Sequence, residues 1–304
     1  MWTQTMEHRN VYSPSEKLVA DVEHLVSLPD ICVRVNMMAD SSRYSALDIG
    51  NVIMQDANLS ARLLRLVNSA FFGLQAPVET ISRAVTIIGT KELRNLVLAT
   101  SAVEVFRGIP ADLVDMVEFW RYSLTTGVIA RELAERCNVL HGERLFVMGV
   151  LHDVGRLVIY LKAADKARDI LLITAGSDEL LPQAESGVLG FTHMDVGAAL
   201  LKRWKLPESI VATVQFHHHP METPEYRLET ALVHIASRLA YAELMGEFLD
   251  GVIDNIHPEV WEITGLMDDE VLTMMEQVPV QVAEVMEVVL APMQPSSSLP
   301  SARS

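Results

Sequence analysis

Apolar residues recur every three or four positions along most of the chain, and the two-residue alternation typical of strands is missing. Residues 57–70 show the pattern clearly, because Leu59, Leu63 and Val67 share one face of a helix. The same spacing predicts five or six short helices between residues 15 and 106. Their apolar faces are expected to pack against one another as a core.

Longer helical patterns fill the second half of the chain. They predict helices over about 111–137, 141–163, 166–175, 178–189, 193–204, 207–218, 224–247 and 267–290. Gly108-Ile109-Pro110 interrupts the periodicity and marks a candidate boundary. We therefore predict an all-α fold in which an N-terminal helical bundle (15–108) packs on a second bundle (109–291). The flanking residues 1–14 and 292–304 are predicted to be disordered.

Composition and charge narrow the classes of function. The formal net charge is −16, and an acidic surface repels phosphate backbones, so nucleic-acid binding is not expected. Every long apolar run contains charged residues, so no membrane span is expected either. The start of the chain is polar and does not resemble a signal peptide. Cys32 and Cys137 lie far apart, which is typical of reduced thiols, so we expect a cytoplasmic protein.

The stretch from Gly149 to Gly155 carries the first candidate chemistry. His152 and Asp153 lie side by side in an apolar run whose composition predicts a buried helix. Unpaired charges are costly to bury, so the two residues need partners. They are either metal ligands, because imidazole and carboxylate suit Zn, Fe or Mn, or a hydrogen-bonded core pair in which Arg156 balances Asp153.

Further histidines lie near the ends of predicted helices. His193 is close to a helix start, His217 and His218 close the following helix, and His234 lies on the next one. Histidines at a helix C-terminus have a plain alternative explanation, because cationic imidazoles interact favourably with the helix dipole. Their position on separate helices, together with the His-Asp pair, favours a shared internal site.

The central motif resembles that of the HD superfamily of metal-dependent phosphohydrolases. Over about residues 15–245 the chain resembles the HDOD family, the "HD-related output domain" branch of that superfamily. The stretches that carry this likeness are Leu28-Pro29, Gln55–Gly73, Ala84–Gly89, Leu93–Leu98, Phe119-Trp120, Gly149–Gly155, Gly197–Leu201, Trp204–Pro207 and His217–Pro220. The resemblance implies an HD-like helical fold for the second half of the chain.

The resemblance also implies a set of metal ligands, part of which this chain keeps. His152 and Asp153 match the central pair, and His193, His217 and His218 match additional ligands of two-metal members. A weak site for Zn, Fe or Mn at these five residues is one expectation. Apart from such a residual divalent ion, no cofactor is expected.

Two positions of the implied set differ from the pattern. Tyr122 stands where a first histidine is expected, and Ser237 stands where a closing aspartate is expected. A phenol stays protonated at neutral pH, and a serine hydroxyl is a weak ligand. A catalytic centre needs about three firm protein ligands and an open position for water. We therefore interpret the whole set as a remnant site without catalytic residues.

The resemblance implies a non-catalytic bacterial signal-transduction adaptor, or output module, that acts through protein–protein interaction. The expected partner is a signalling protein such as a kinase, a cyclase or another regulator. Two alternatives stay open at this point. One is a metal-dependent phosphohydrolase or phosphodiesterase with altered ligands, and the other is a sensor of a nucleotide or a metal.

One surface in the N-terminal half has the residues of an interface. The stretch Asp56–Gly73 carries Arg62 and Arg65 beside its apolar face and ends in Phe71-Phe72. The two aromatic residues either attach this helix to a neighbour or form, with the arginines, a patch for a partner, because interface hot spots favour aromatic residues and arginine.

Overall fold

The computed structural model of the chain describes residues 12–22, 24–106, 109–140 and 142–290. Within these ranges the chain forms helices and no strand, so the predicted all-α fold is confirmed. The helices are α1 (Pro14–Ala20), α2 (Asp30–Ala39), α3 (Ala46–Ile53), α4 (Ala57–Val67), α5 (Ile81–Ile88), α6 (Thr90–Val105), α7 (Met116–Arg136), α8 (Glu143–Leu151), α9 (Val154–Lys162), α10 (Ala164–Thr174), α11 (Leu181–Leu189), α12 (His193–Arg203), α13 (Glu208–Phe216), α14 (Arg227–Met245), α15 (Leu249–Asp254), α16 (Pro258–Thr264), α17 (Asp268–Met275) and α18 (Val278–Val289).

Side-chain caps fix the starts of several helices. The Ser13 hydroxyl accepts a hydrogen bond from the main-chain N–H of Glu16 at 3.3 Å, and the Asp56 carboxylate accepts one from Leu59 at 2.9 Å. Serine and aspartate are both strongly preferred at helix N-caps, so these two starts follow from the sequence. Thr192 caps α12 in the same way, so that His193 becomes the first residue of that helix.

The first helix packs on the second half of the chain. Helix α1 contacts α12 and α9, while α2 to α6 contact one another. The indole N–H of Trp204 donates to the main-chain oxygen of Val26 at 2.9 Å, which holds the segment after α1 in place. Because one apolar core runs through both halves, the division into two bundles stays a prediction. The predicted boundary between the bundles, at residue 108, lies outside the described residues. Residues 1–11 and 291–304, which cover most of the flanks predicted to be disordered, also lie outside them.

Helix α7 forms the centre of the second half, where α8, α14 and α18 pack against it. The crossing of α7 and α8 depends on two glycines, because a Cβ atom added to Gly149 would lie 2.6 Å from the Cα atom of Gly127. A Cβ atom on Gly155 in α9 would collide with the main-chain oxygen of His193 in α12. Both glycines of the central motif therefore serve close helix packing.

Two long helices predicted from the sequence are each divided in the structure. The predicted helix over 141–163 ends at Leu151, and a new helix begins at Val154, because Asp153 has φ −102° and ψ 8°. His152 and Asp153 thus lie at a junction between helices and not inside one. The predicted helix over 267–290 is divided before Val278, and Pro279 occupies the first turn of α18.

Of the four residues of the candidate patch in the N-terminal half, Phe71 and Arg62 are buried, Phe72 is half-buried and Arg65 is exposed. Phe71 is 2% exposed, and its ring centroid lies 4.8 Å from that of Phe146. The guanidinium of Arg131 lies 4.1 Å from the centroid of Phe71 and donates to its main-chain oxygen. Arg62 is also buried and forms an ion pair with Glu104 at 2.6 Å. The alternative in which Phe71 attaches its helix to a neighbour is therefore correct, and Arg62 cannot belong to an exposed patch.

None of the helices in the described ranges has both the length and the apolar character that crossing a membrane requires.

Candidate metal centre

Three separate regions bring the candidate ligands together. His152 and Asp153 lie between α8 and α9, His193 opens α12, and His217 and His218 follow the end of α13. Four of these residues each offer one potential ligand atom, and the four atoms all lie within 4.8 Å of one another. The four residues are Asp153, His193, His217 and His218. The close contact of α9 and α12 at Gly155 makes this convergence possible.

The two carboxylate oxygens of Asp153 face different neighbours. Oδ1 lies 3.2 Å from Nε2 of His193 and 3.6 Å from Nε2 of His217. Oδ2 lies 2.7 Å from Nη1 of Arg156 and 3.8 Å from Nε2 of His152. Asp153 therefore joins a histidine-lined side of the centre to a side that holds a guanidinium.

Hydrogen bonds at Nδ1 set the tautomers of three imidazoles. Nδ1 of His152 lies 2.6 Å from the main-chain oxygen of Gly149, and Nδ1 of His217 lies 2.8 Å from that of Val214. A carbonyl oxygen can only accept, so each Nδ1 carries the hydrogen. Nδ1 of His193 is held at 2.7 Å by the carboxylate of a further buried residue, Glu185, whose same oxygen accepts the main-chain N–H of His193. In the neutral form of each ring, Nε2 is left to act as a ligand.

The ligand atoms that face the centre have no hydrogen-bond partner among the described residues. These atoms are Oδ1 of Asp153 and the Nε2 atoms of His152, His193, His217 and His218. Oδ1 of Asp153 and Nε2 of His193 are close enough, at 3.2 Å, for an ion pair when His193 is protonated. Leaving a buried polar atom unpaired costs about 1–3 kcal/mol, so the Nε2 atoms of His152, His217 and His218 need an explanation. A divalent cation fits the donor set, because carboxylate and imidazole are ligands of Zn, Fe and Mn.

The protonation of the centre also favours a cation. Burial alone favours neutral groups, but the neighbouring imidazole of His152 and the guanidinium of Arg156 hold the pKa of Asp153 well below its ordinary value. Burial likewise opposes a charge on His193, yet the carboxylates of Glu185 and Asp153 raise the pKa of His193 to about 10. Without a metal, a proton on His193 therefore supplies positive charge at neutral pH.

Tyr122 and Ser237, the two departures from the ligand pattern, lie close together in the structure. The hydroxyl of Tyr122 donates to the main-chain oxygen of Ser237 at 3.5 Å, and burial raises the pKa of this phenol well above its ordinary value. The Ser237 hydroxyl donates to the main-chain oxygen of His234 at 2.9 Å. Both hydroxyl hydrogens are thus directed at carbonyl groups, and Tyr122 stays a neutral phenol.

Sequence reasoning missed two acidic residues of the centre. Glu185 holds His193, and Asp178 lies 3.5 Å from Nη1 of Arg156 and 4.0 Å from Nε2 of His218. Both carboxylates are buried. Asp178 lies before α11 and Glu185 lies within it, and their positions follow no metal-binding spacing. The only signal available in the sequence was an acidic residue at a position where the helical pattern predicts burial. The candidate His234 lies behind the centre, where its Nδ1 donates to the main-chain oxygen of His217 at 2.8 Å.

The centre is almost closed to solvent. The side chains of Asp153, His193 and His217 are at most 1% exposed, and that of His218 is 11% exposed. His218 also lines a surface cleft of about 870 Å³. An ion can therefore reach the centre from that cleft, whereas the other ligands are covered by protein.

Helical packing around a buried His-Asp centre of this kind defines an HD-type protein. The sequence profile described as the HDOD domain matches residues 25–220, which is more than half of the chain. The chain therefore belongs to the HDOD family. Six of the seven candidate site residues lie inside the matched range, and Ser237 lies beyond it.

Proteins with related sequences or structures include one that is described as an HDOD domain protein. An uncharacterized protein of Treponema pallidum is 29% identical over 238 residues, which are 77% of this chain and 44% of that protein, so the chain spans less than half of its length. An HDOD domain protein of unknown function from Geobacter sulfurreducens superposes with a TM-score of 0.71 at 25% identity, over 90% of this chain and 98% of the other. A Shewanella amazonensis protein provisionally described as a phosphohydrolase gives 0.70 at 25% identity, over 90% and 97%.

Proposed function

We propose that this chain is a non-catalytic signalling module whose buried centre holds one divalent metal ion for structural purposes. The observation that carries the proposal is the donor set. Asp153, His193, His217 and His218 supply four protein ligands, the number that fills a tetrahedral structural site, whereas catalytic sites keep a position open for water or substrate.

The burial of the centre supports the same conclusion. Substrate would need access to the metal, but three of the four ligands are at most 1% exposed. Tyr122 and Ser237 direct their hydroxyl hydrogens at carbonyl oxygens, so they offer no ionised group that could complete a second metal position. The metal, when bound, supplies positive charge that neutralises buried carboxylates and joins the α8–α9 junction to α12 and α13.

The signalling role rests on membership of the HDOD family together with this closed centre. A module without chemistry must transmit information through the proteins that it binds. We expect a kinase, a cyclase or another regulator as the partner, and a basic surface on that partner would complement the net charge of −16.

Metal content and turnover, measured on the same preparation, test the proposal. Protein purified without added metal should contain Zn, Fe or Mn by plasma mass spectrometry, and Asp153→Asn should lose it. Cyclic dinucleotides and bis(p-nitrophenyl) phosphate, supplied with Mn²⁺, should be hydrolysed no faster by the wild type than by His152→Ala.

The turnover and metal-content results lead to different conclusions. Turnover that disappears in His152→Ala would overturn the non-catalytic role and favour a phosphohydrolase, whereas a contaminating enzyme would remain active in that variant. Absence of metal from the wild type, even after incubation with each of the three ions, would overturn the structural metal centre.

A further inference from the structure

The two sides of the Asp153 carboxylate lead to an inference about metal number, which rests on the proposed function. We infer that Arg156 takes the place of a second metal ion, so that the centre accepts one divalent ion on the Oδ1 side, and that Asp178 is the positioning residue that holds Arg156 there.

The guanidinium of Arg156 is fixed by three side chains. Its Nη1 atom donates to Oδ2 of Asp153 at 2.7 Å and lies 3.5 Å from Oδ1 of Asp178. Its Nε and Nη2 atoms both donate to the hydroxyl of Tyr160 at 3.3 Å. A guanidinium does not lose its proton in proteins, so this positive charge is permanent.

Centres with two metals hold their ions about 3.5–4 Å apart and stabilise charge from both sides. A carboxylate between two such ions gives one oxygen to each. Here Oδ2 of Asp153 already accepts a hydrogen bond from a permanent cation, while Oδ1 faces two imidazoles, with Nε2 of His193 at 3.2 Å and Nε2 of His217 at 3.6 Å. An ion bound at Oδ2 would have to displace Arg156 or lie against its positive charge.

The segment before α11 holds Asp178 in place. Ala175 and Gly176 have left-handed backbones, with φ of 48° and 86°, and turn the chain back towards α14. The Tyr241 hydroxyl donates to the main-chain oxygen of Gly176 at 2.7 Å and ties this turn to the helix. Asp178 is 7% exposed as a result, and it lies 3.5 Å from Nη1 of Arg156 and 4.0 Å from Nε2 of His218.

The balance of buried charge also fits one ion. The carboxylates of Asp153, Asp178 and Glu185 and the guanidinium of Arg156 lie together around the centre. With neutral imidazoles these groups carry a net charge of minus two, which one divalent cation neutralises. A second divalent cation would leave two uncompensated positive charges in a buried site, and such charges are expensive to bury.

Titration of the chelator-treated full chain with Mn²⁺ tests the inference. The wild type should bind one Mn²⁺ per chain and show the six-line paramagnetic resonance spectrum of an isolated ion. Arg156→Gln removes the built-in cation, so it should take up a second Mn²⁺ at excess metal and show spin coupling between the ions. Arg156→Lys, which keeps the charge, and Arg168→Gln, which removes an arginine from a surface ion pair with Asp112, should each stay at one.

A second variant keeps the test decisive if Arg156→Gln does not fold. Asp178→Asn should bind one Mn²⁺ about 10- to 100-fold more weakly, which is the usual effect of losing an outer-shell partner. Asp112→Asn, which removes a carboxylate from the surface pair, should bind as the wild type does. Unchanged affinity in Asp178→Asn would overturn the role of Asp178.

The outcomes separate this inference from the function on which it rests. Two Mn²⁺ ions in the wild type, or one in a folded Arg156→Gln, would overturn the replacement of an ion by Arg156 and leave a metal-binding module. No Mn²⁺ in the wild type would overturn the metal centre itself, and the inference with it.

Discussion

Burial and neighbouring charges shift the pKa values of the buried histidines in opposite directions. Burial lowers the pKa of His152 to about 4, and it does the same for His234 although the hydrogen bond to His217 acts the other way. His193 has carboxylate neighbours and a pKa of about 10. Residues of one type therefore have different roles here, and His193 holds a proton at neutral pH in the metal-free chain, whereas His152 and His234 do not.

His234 should make the metal-free protein sensitive to acid. An unfolded histidine has a pKa of about 6.5, so between pH 6.5 and 4 the unfolded chain binds a proton that folded His234, with a pKa of about 4, refuses. The stability that neutral His234 contributes should decline over this range, by at most about 3 kcal/mol. The measurement is the free energy of urea unfolding in chelator, for the wild type and His234→Gln, at several pH values.

The difference between the two proteins carries the prediction, because other groups titrate in both. That difference should shrink as the pH falls from 6.5 to 4. A constant difference would show that His234 titrates in the folded chain much as it does in the unfolded one.

At the scale of elements, close helix crossings position the centre. Gly149 and Gly127 let α8 approach α7, and Gly155 lets α9 approach the start of α12. Gly187 in α11 offers a contrast, because a Cβ atom there would meet no atom within 4 Å. A glycine-to-alanine substitution should therefore lower the stability of the protein at Gly149 and raise it at Gly187.

Gly149→Ala should destabilise the protein by about 1–3 kcal/mol or more, the usual cost of overpacking a core. Gly187→Ala should stabilise it by up to about 1 kcal/mol, because alanine is the better helix former. Thermal unfolding of both variants, with and without chelator, measures the effects. Equal stability of the two variants would contradict the close packing of α7 and α8.

The sequence predicts the helices and most of the centre, and the reasons for the remaining errors are physical. Periodicity and caps such as Asp56 depend on neighbours in the chain, so they are readable from it. The break at Asp153 is not, because the surrounding apolar run fits a continuous helix and tertiary contacts decide where it ends. Asp178 and Glu185 reach the centre only through the packing of α11, which no local pattern encodes.

The whole molecule is larger than the family profile that it matches. The profile ends at residue 220, but α14 and α18 pack along α7, and α18 also contacts α4. Between α18 and α7, the side-chain amide of Gln281 donates to the carboxylate of Glu132 at 3.0 Å. Residues 227–289 are therefore part of the same core as the centre.

Truncation after residue 220 should prevent cooperative folding. It removes α14, whose residues Leu232, Ile235 and Ala236 are fully buried, and it exposes the face of α7 that they cover. Truncation after residue 290 should leave the core intact and serves as the control. Thermal unfolding followed by circular dichroism compares the two chains, and a cooperative transition of the shorter chain at the midpoint of the longer one would refute the prediction.

Because the metal ligands come from distant parts of the chain, a bound metal should affect the rates of folding and unfolding differently. An ion can contact all four ligands only after the α8–α9 junction, α12 and α13 have docked. Interactions that form after the transition state slow unfolding and leave the folding rate nearly unchanged. In stopped-flow experiments, metal removal should therefore raise the unfolding rate alone. The metal supply of the cell would then determine how long each folded molecule lasts and not how fast it forms.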